Sequence, residues 1–200
     1  MQTNGPIPIE SRALGTLSYI RSSIDAAGSL AVPGASGIVM GTIGMIAAAF
    51  ASLPSLNARW LEIWMAAAVV AFLFGGALVA RQVTQRGRSL ISGPIRKFML
   101  CLGPSLLAGA VLTFVLWRAD MERLVPGMWL LLYGCAVIAC STVTNSLSQK
   151  LIASMGAMFV LLGVAAFAAP PALQTAILGV GFGVLHLVFG MLIGRQNHGE

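Results

Sequence analysis

The chain has 200 residues, 58% of them hydrophobic and only 9% charged. A soluble domain carries roughly 25% charged residues, so composition excludes a water-soluble globule and points to a polytopic membrane protein. The 12 Lys and Arg against 6 Asp and Glu fall in gaps between apolar runs. That placement excludes a nucleic-acid surface and fits charge that sets topology and meets anionic lipid headgroups.

Residues 1–8 hold Gly5, Pro6 and Pro8 and read as loose chain. They are not a secretory signal, because Glu10, Arg12, Arg21 and Asp25 break up the first thirty residues. From about Ile9 to Ala27 the pattern predicts an amphipathic helix. Ala13, Leu17, Ile20, Ile24 and Ala27 form its apolar stripe, and Arg12, Tyr19 and Ser23 lie opposite. It is too polar to span. It would either lie in the membrane interface or pack as a cytoplasmic helix on the bundle. Gly28 and then Pro33-Gly34 end it.

Six runs then approach the roughly 20 residues needed to cross a hydrocarbon core of about 30 Å. They are Ser36–Leu53, Trp60–Ala80, Phe98–Trp117, Met128–Thr144, Leu151–Ala169 and Gln174–Ile193. Trp60, Trp64, Trp117 and Trp129 sit near run ends, as an aromatic belt would have them. Gly103-Pro104 predicts a kink in the third run. Polar residues from Asn145 to Lys150 separate the fourth and fifth. The domain plan is therefore an N-terminal cytoplasmic segment (1–34), a six-helix transmembrane bundle (35–195) and a short tail (196–200). The fold class is an all-α membrane protein, six transmembrane helices preceded by an amphipathic interfacial helix.

The longest connection, Arg81 to Lys97, holds Arg81, Arg86, Arg88, Arg96 and Lys97. With the N-terminal segment, Lys150 and Arg195, its side of the membrane carries nine Lys and Arg; the other side has Arg59, Arg118 and Arg123. This bias places both termini and the basic loop in the cytoplasm of a bacterial inner membrane. Anionic lipid headgroups are the expected partners of Arg81–Lys97. Val-Pro-Gly precedes both the first and the fourth span, at Val32–Gly34 and Val125–Gly127. Three spans separate the copies, as in inverted-repeat transporters, but the basic loop has no counterpart in the second half.

Two spans carry glycine faces. Gly37, Gly41, Gly44 and Ala48 in the first have the same spacing as Gly179, Gly183, His186 and Gly190 in the last. Small residues let helix backbones approach closely in a bilayer. The expected use is packing within the chain, the two helices being antiparallel; the other use is a homodimer or a contact with a membrane-protein partner. Polar residues gather in the cytoplasmic half: Ser36, Thr42, Cys101, Ser105, Cys140, Ser141, Thr142, Thr144 and Ser154. His186 joins them about 12 Å from that end. One reading is a polar vestibule or packing site formed by His186, Ser105, Thr142 and Ser154, with Arg96 and Lys97 at its rim. The other has the hydroxyls bonded to their own helices and the space solid.

No second ligand accompanies His186 at its depth, so neither haem nor a metal is expected, and the cofactor expectation is none. The histidine more readily hydrogen-bonds a neighbouring helix. Cys101, Cys140 and the third cysteine, Cys135, all lie in apolar runs and suggest no disulfide framework.

Two patches resemble a known enzyme family. Gly34-Ala35-Ser36-Gly37 is similar to the G-x-S-G of rhomboid intramembrane proteases, and His186 with Leu187 and Gly190 is similar to their histidine helix. The resemblance implies a Ser36–His186 dyad, although in rhomboids the serine lies on a later span. A broader resemblance runs from Tyr19 to Arg195. It rests on Tyr19-Ile20-Arg21, Val32-Pro33-Gly34, Ser92–Phe98 (SGPIRKF), Leu124–Gly134 (LVPGMWLLLYG) and Gly181–Arg195 (GFGVLHLVFGMLIGR). These stretches resemble a family of small six-span bacterial membrane proteins with no assigned reaction, which implies topology and bacterial origin alone. The expected function is a non-enzymatic partner or regulatory membrane subunit. A small-solute transporter or channel with His186 in its vestibule is the alternative, and an intramembrane hydrolase is the remote one.

Overall fold

The computed structural model describes residues 32–85, 87, 93–144 and 146–198. The amphipathic helix expected from Ile9 to Ala27 lies outside them, as do Arg86 and Arg88 of the basic connection and the last two residues of the tail. The described residues form helices and turns with no strands. These are α1 (Gly34–Ala51), α2 (Trp60–Gln85), α3 (Gly93–Arg118), α4 (Val125–Ser141), α5 (Ser146–Ala168), α6 (Pro171–Leu178) and α7 (His186–His198). A π-helical stretch, Gly179–Leu185, joins α6 to α7, so the three run on as one last span. Among the described residues, six helical segments are long and apolar enough to cross a membrane.

Proline starts several of them. Pro33 is the residue before α1, Pro126 lies in the first turn of α4 and Pro171 opens α6. At a helix start the missing N–H costs nothing, because the first N–H groups have no intrahelical acceptor. Pro104 sits inside α3, and the helix runs through it. A break does separate α4 from α5, but it falls at 142–145, before most of the polar stretch expected to form it, and residues 146–150 belong to α5. The last helix extends to His198, past the expected span end at Ile193.

Glycines decide the packing. A Cβ added to Gly34, Gly37, Gly41 or Gly44 of α1 would strike the backbone of the last span at 2.5–2.9 Å. Contacts to Gly194, Gly190, Gly183 and Phe182 follow in that order, which is an antiparallel crossing at backbone contact. A second such pair was not anticipated. On α4 and α5, a Cβ on Gly134 would lie 2.8 Å from the Gly156 oxygen, and one on Gly156 would lie 2.8 Å from the Gly134 oxygen. Gly163 meets Leu131 in the same way. The spacing from 127 to 134, and from 156 to 163, is two helical turns.

These pairs leave the remaining helices at the edges. α2 leans on α1 and α3 leans on α4, whereas contact between α2 and α3 is sparse at most. Only 11% and 6% of their apolar windows are buried, against 33% to 50% in the other four spans. The exterior is apolar: Leu73, Leu107 and Leu161 are more than half exposed. The core is Leu130, Phe159 and Leu178, with Trp64, Leu185 and Phe189 around them.

Candidate functional site

The separation of α2 from α3 opens a groove that ends on His186. Two adjoining cavities of about 230 and 410 Å³ lie along it. Both are lined by Met40 of α1, Phe72 of α2, Leu102 of α3, Tyr133 of α4 and His186 of α7. The larger runs toward Val32, Ile95 and Ile193, and the smaller toward Thr113 and Trp129. Among the described residues, no Lys, Arg, Asp or Glu lines either one.

His186 is 3% exposed. Its Nε2 lies 2.7 Å from the Tyr133 hydroxyl. Tyr133, Phe159 and Phe182 surround the imidazole, with ring centroids 5.3–6.2 Å away. The ring also lies near the Gly181 and Phe182 carbonyls of the preceding turn, yet Nδ1 makes no hydrogen bond that meets distance and angle limits. A neutral imidazole has one N–H and one lone pair, so the Tyr133 contact satisfies one nitrogen and leaves the other. Trp64, on the facing wall, is likewise 3% exposed with Nε1 unbonded. Trp64 is therefore not a belt residue at a span end but part of the core.

The π-helical stretch lies immediately before His186. Such stretches concentrate at functional sites, because the widened turn shifts the side chains that follow. Here Gly179, Gly181 and Gly183 also let neighbours approach: a Cβ on Gly181 would lie 2.5 Å from the Leu130 side chain.

Aromatic pairs tie the far end of the groove. Trp60 stacks on Trp129 at 6.4 Å and 12°. The Trp60 indole N–H donates to the Thr175 hydroxyl at 2.8 Å, and the Trp129 N–H to the Thr113 hydroxyl at 2.7 Å. Gln174 donates to the Arg123 carbonyl at 2.7 Å. One turn deeper come Trp64 and Tyr133. The shared four-residue step, Trp60 to Trp64 and Trp129 to Tyr133, was the sequence signal for this wall.

The residues singled out in sequence are only partly assembled. Ser105 and His186 line the groove. Thr142 and Ser154 do not join them: both are exposed, and their hydroxyls donate to the Ala139 and Leu151 carbonyls at 2.7 and 2.9 Å. Arg96 and Lys97 are exposed in the first turns of α3 and do not line either cavity. The physical reason is the short reach of Ser and Thr, whose hydroxyls find their own helix carbonyls first. The space beside His186 is thus largely apolar. Gly37, Gly41, Gly44, Gly183 and Gly190 meet within the chain, and Gly179 meets Ala48.

Ser36 and His186 both line the larger cavity, but neither faces the other as a dyad. The Ser36 hydroxyl donates to the Pro33 carbonyl at 2.7 Å, and Nε2 is engaged by Tyr133. The Cys140 thiol lies 3.8 Å from the Phe98 carbonyl, between α4 and α3. All three cysteines are free thiols. No family model, curated protein or solved structure matches the chain. The resemblances noted from sequence therefore rest on their motifs alone.

Proposed function

We propose that this is a non-enzymatic, multi-pass integral membrane protein that takes up an apolar molecule from the bilayer through the groove between α2 and α3. The observation that carries the reading is that two consecutive helices are held apart, and that the gap leads from the apolar exterior to His186 and Tyr133. Exposed Leu73, Leu107 and Leu161 support a bilayer around the molecule, since apolar patches beyond a few hundred Å² are rare on soluble monomers. The charge bias supports a bacterial inner-membrane topology with both ends cytoplasmic.

A regulatory or partner-subunit role fits the same site. The basic connection Arg81–Lys97 joins the end of α2 to the start of α3, the two walls of the groove. A ligand that spreads or closes the walls moves both anchors of the connection, and with them its contact with anionic headgroups or a partner.

Native mass spectrometry of the protein released from its own membrane tests the groove. The wild type is expected to carry a small apolar molecule, and a variant with the groove filled at Gly76 is expected to carry none; equal loading of both refutes the reading. A second reading, a transporter or channel for a small neutral solute, draws on the length of the groove. Loss of solute flux in proteoliposomes on His186→Leu would favour it, and unchanged flux would remove it.

A further inference from the structure

We infer that the groove is built for a neutral amphiphile with a hydrogen-bond-accepting head, a carbonyl carried on a hydrocarbon tail. The head is held by Trp64, His186 and Tyr133, and the tail lies between α2 and α3. This rests on the groove reading above and adds the chemistry of the ligand.

Three observations specify the head. Trp64 Nε1 and His186 Nδ1 are polar atoms of residues only 3% exposed, both without a partner and both on residues that line the same cavity. An indole nitrogen can only donate. A buried donor left unsatisfied costs roughly 1–3 kcal/mol, and an acceptor placed in the cavity beside it would remove that cost. Beside them the Tyr133 hydroxyl, paired with Nε2 at 2.7 Å, can turn its proton toward an acceptor or keep it on the imidazole. In either arrangement the site presents two donors, Trp64 with Nδ1–H when Tyr133 donates to Nε2, or Trp64 with the Tyr133 O–H when Nε2–H donates to it, and so calls for an oxygen acceptor.

The charge of the head follows from what the walls lack. Among the described residues no cationic side chain lines either cavity, and Arg96 and Lys97 are exposed at the start of α3. An ionised carboxylate or phosphate would enter a low-dielectric site without a counter-ion, which is strongly unfavourable. A neutral carbonyl incurs no such cost. The hydroxyls of Ser36 and Thr113 are already bonded to backbone carbonyls, at 2.7 and 2.6 Å, which leaves Ser105 as the serine on the wall of the smaller cavity able to add to the anchor.

The tail is specified by the rest of the groove. The larger cavity, about 410 Å³, is within the 300–1,000 Å³ range of small-molecule sites. Its walls beyond His186 are aliphatic or aromatic: Phe72, Val79, Phe98, Met99, Ile152 and Ile193. At Gly76 a Cβ would meet nothing within 4 Å, so the wall is open there. A quinone with an alkyl tail and a monoacylglycerol both present this chemistry.

The test uses the full chain in detergent, titrated by native mass spectrometry with three probes: a decyl-substituted benzoquinone, monoolein and decanoate. The two neutral probes are expected to bind one per chain, each at least tenfold more tightly than decanoate. His186→Gln and Trp64→Phe should each weaken the neutral probes at least fivefold. Gly76→Phe, which adds a ring where the wall is open, should abolish all binding while circular dichroism and monodispersity stay as in the wild type. A preference between the quinone and the ester identifies the source of the head. Decanoate binding as tightly as the neutral probes, or loss of binding in Gly76→Phe alone, overturns the head-group inference and leaves the groove intact. Unchanged binding in Gly76→Phe, or no binding of any probe, overturns both. So does a second chain or a partner helix found in the groove in place of the probes.

Discussion

Gly37 and Gly190 meet backbone to backbone: a Cβ on Gly37 would stand 2.9 Å from the Gly190 Cα, and one on Gly190 would stand 2.7 Å from the Ile38 nitrogen. Backbone atoms cannot swing aside as a flexible side chain can. Gly37→Val and Gly190→Val are therefore expected to destabilise the protein by about 1–3 kcal/mol each, as overpacking does. A thermal-shift series in detergent would register this as a lowered Tm. If the Tm held and only the oligomer changed, the glycine face would be a contact between copies and not within the chain.

The antiparallel crossing of α4 and α5 gives a paired expectation. Gly134 faces the Gly156 oxygen at 2.8 Å from its notional Cβ, whereas nothing lies within 4 Å at Gly76. Gly134→Ala should lower the Tm. Gly76→Ala should raise it, because alanine in a helix interior is favoured over glycine by roughly 0.5–1 kcal/mol. Shifts of the same sign in both variants would mean that local helix propensity outweighs packing at Gly134.

The six apolar segments were legible because run length and turn residues mark them directly. Pro33, Pro126 and Pro171 stand at helix starts, and the Asn145 gap stands where α4 gives way to α5. The glycine faces were legible too, since Gly37, Gly41 and Gly44 recur at helical spacing. The groove was not. That α2 and α3 part, although consecutive, depends on α1 pairing with the last span and α4 with α5; the glycine spacing marks the first of these pairs, but nothing in the runs of α2 and α3 shows that they stay apart. Thr142 and Ser154 looked like vestibule walls because sequence gives the depth of a hydroxyl but not its direction.

A turn outside the apolar segments offers a cleaner test of backbone conformation. Asp120 has φ of 53°, in the left-handed region. The Met121 N–H donates to the Leu116 carbonyl at 2.9 Å and the Asp120 N–H to the Trp117 carbonyl at 3.2 Å. This is the bond pair of a Schellman cap, a position where glycine is the usual residue. Asp120→Gly is expected to raise stability by up to about 1 kcal/mol, and Asp120→Val to lower it by about 1–2 kcal/mol, since a branched side chain is most strained there. Chemical denaturation of the two variants side by side would check the ordering. Valine as stable as glycine would show that the turn adopts another conformation in solution.

The bond between Tyr133 and His186 crosses from α4 to the last span, so its strength bears on both packing and the proposed site. Tyr133→Phe removes the partner of Nε2 in a ring whose Nδ1 is already unbonded. That should cost about 1–3 kcal/mol, the penalty of a buried polar atom left unsatisfied. His186→Leu strands the tyrosine hydroxyl instead. In the double variant both polar groups are gone and an apolar pair faces an apolar wall, so the loss should fall short of the sum of the singles. A double-mutant cycle on unfolding free energy is expected to give a coupling of roughly 0.5–2 kcal/mol. Additivity within about 0.3 kcal/mol, the value for independent sites, would mean that the hydroxyl and the imidazole do not bond in the unliganded protein. Tyr133 would then be free to serve the ligand alone, and Tyr133→Phe should weaken the neutral probes without lowering the Tm.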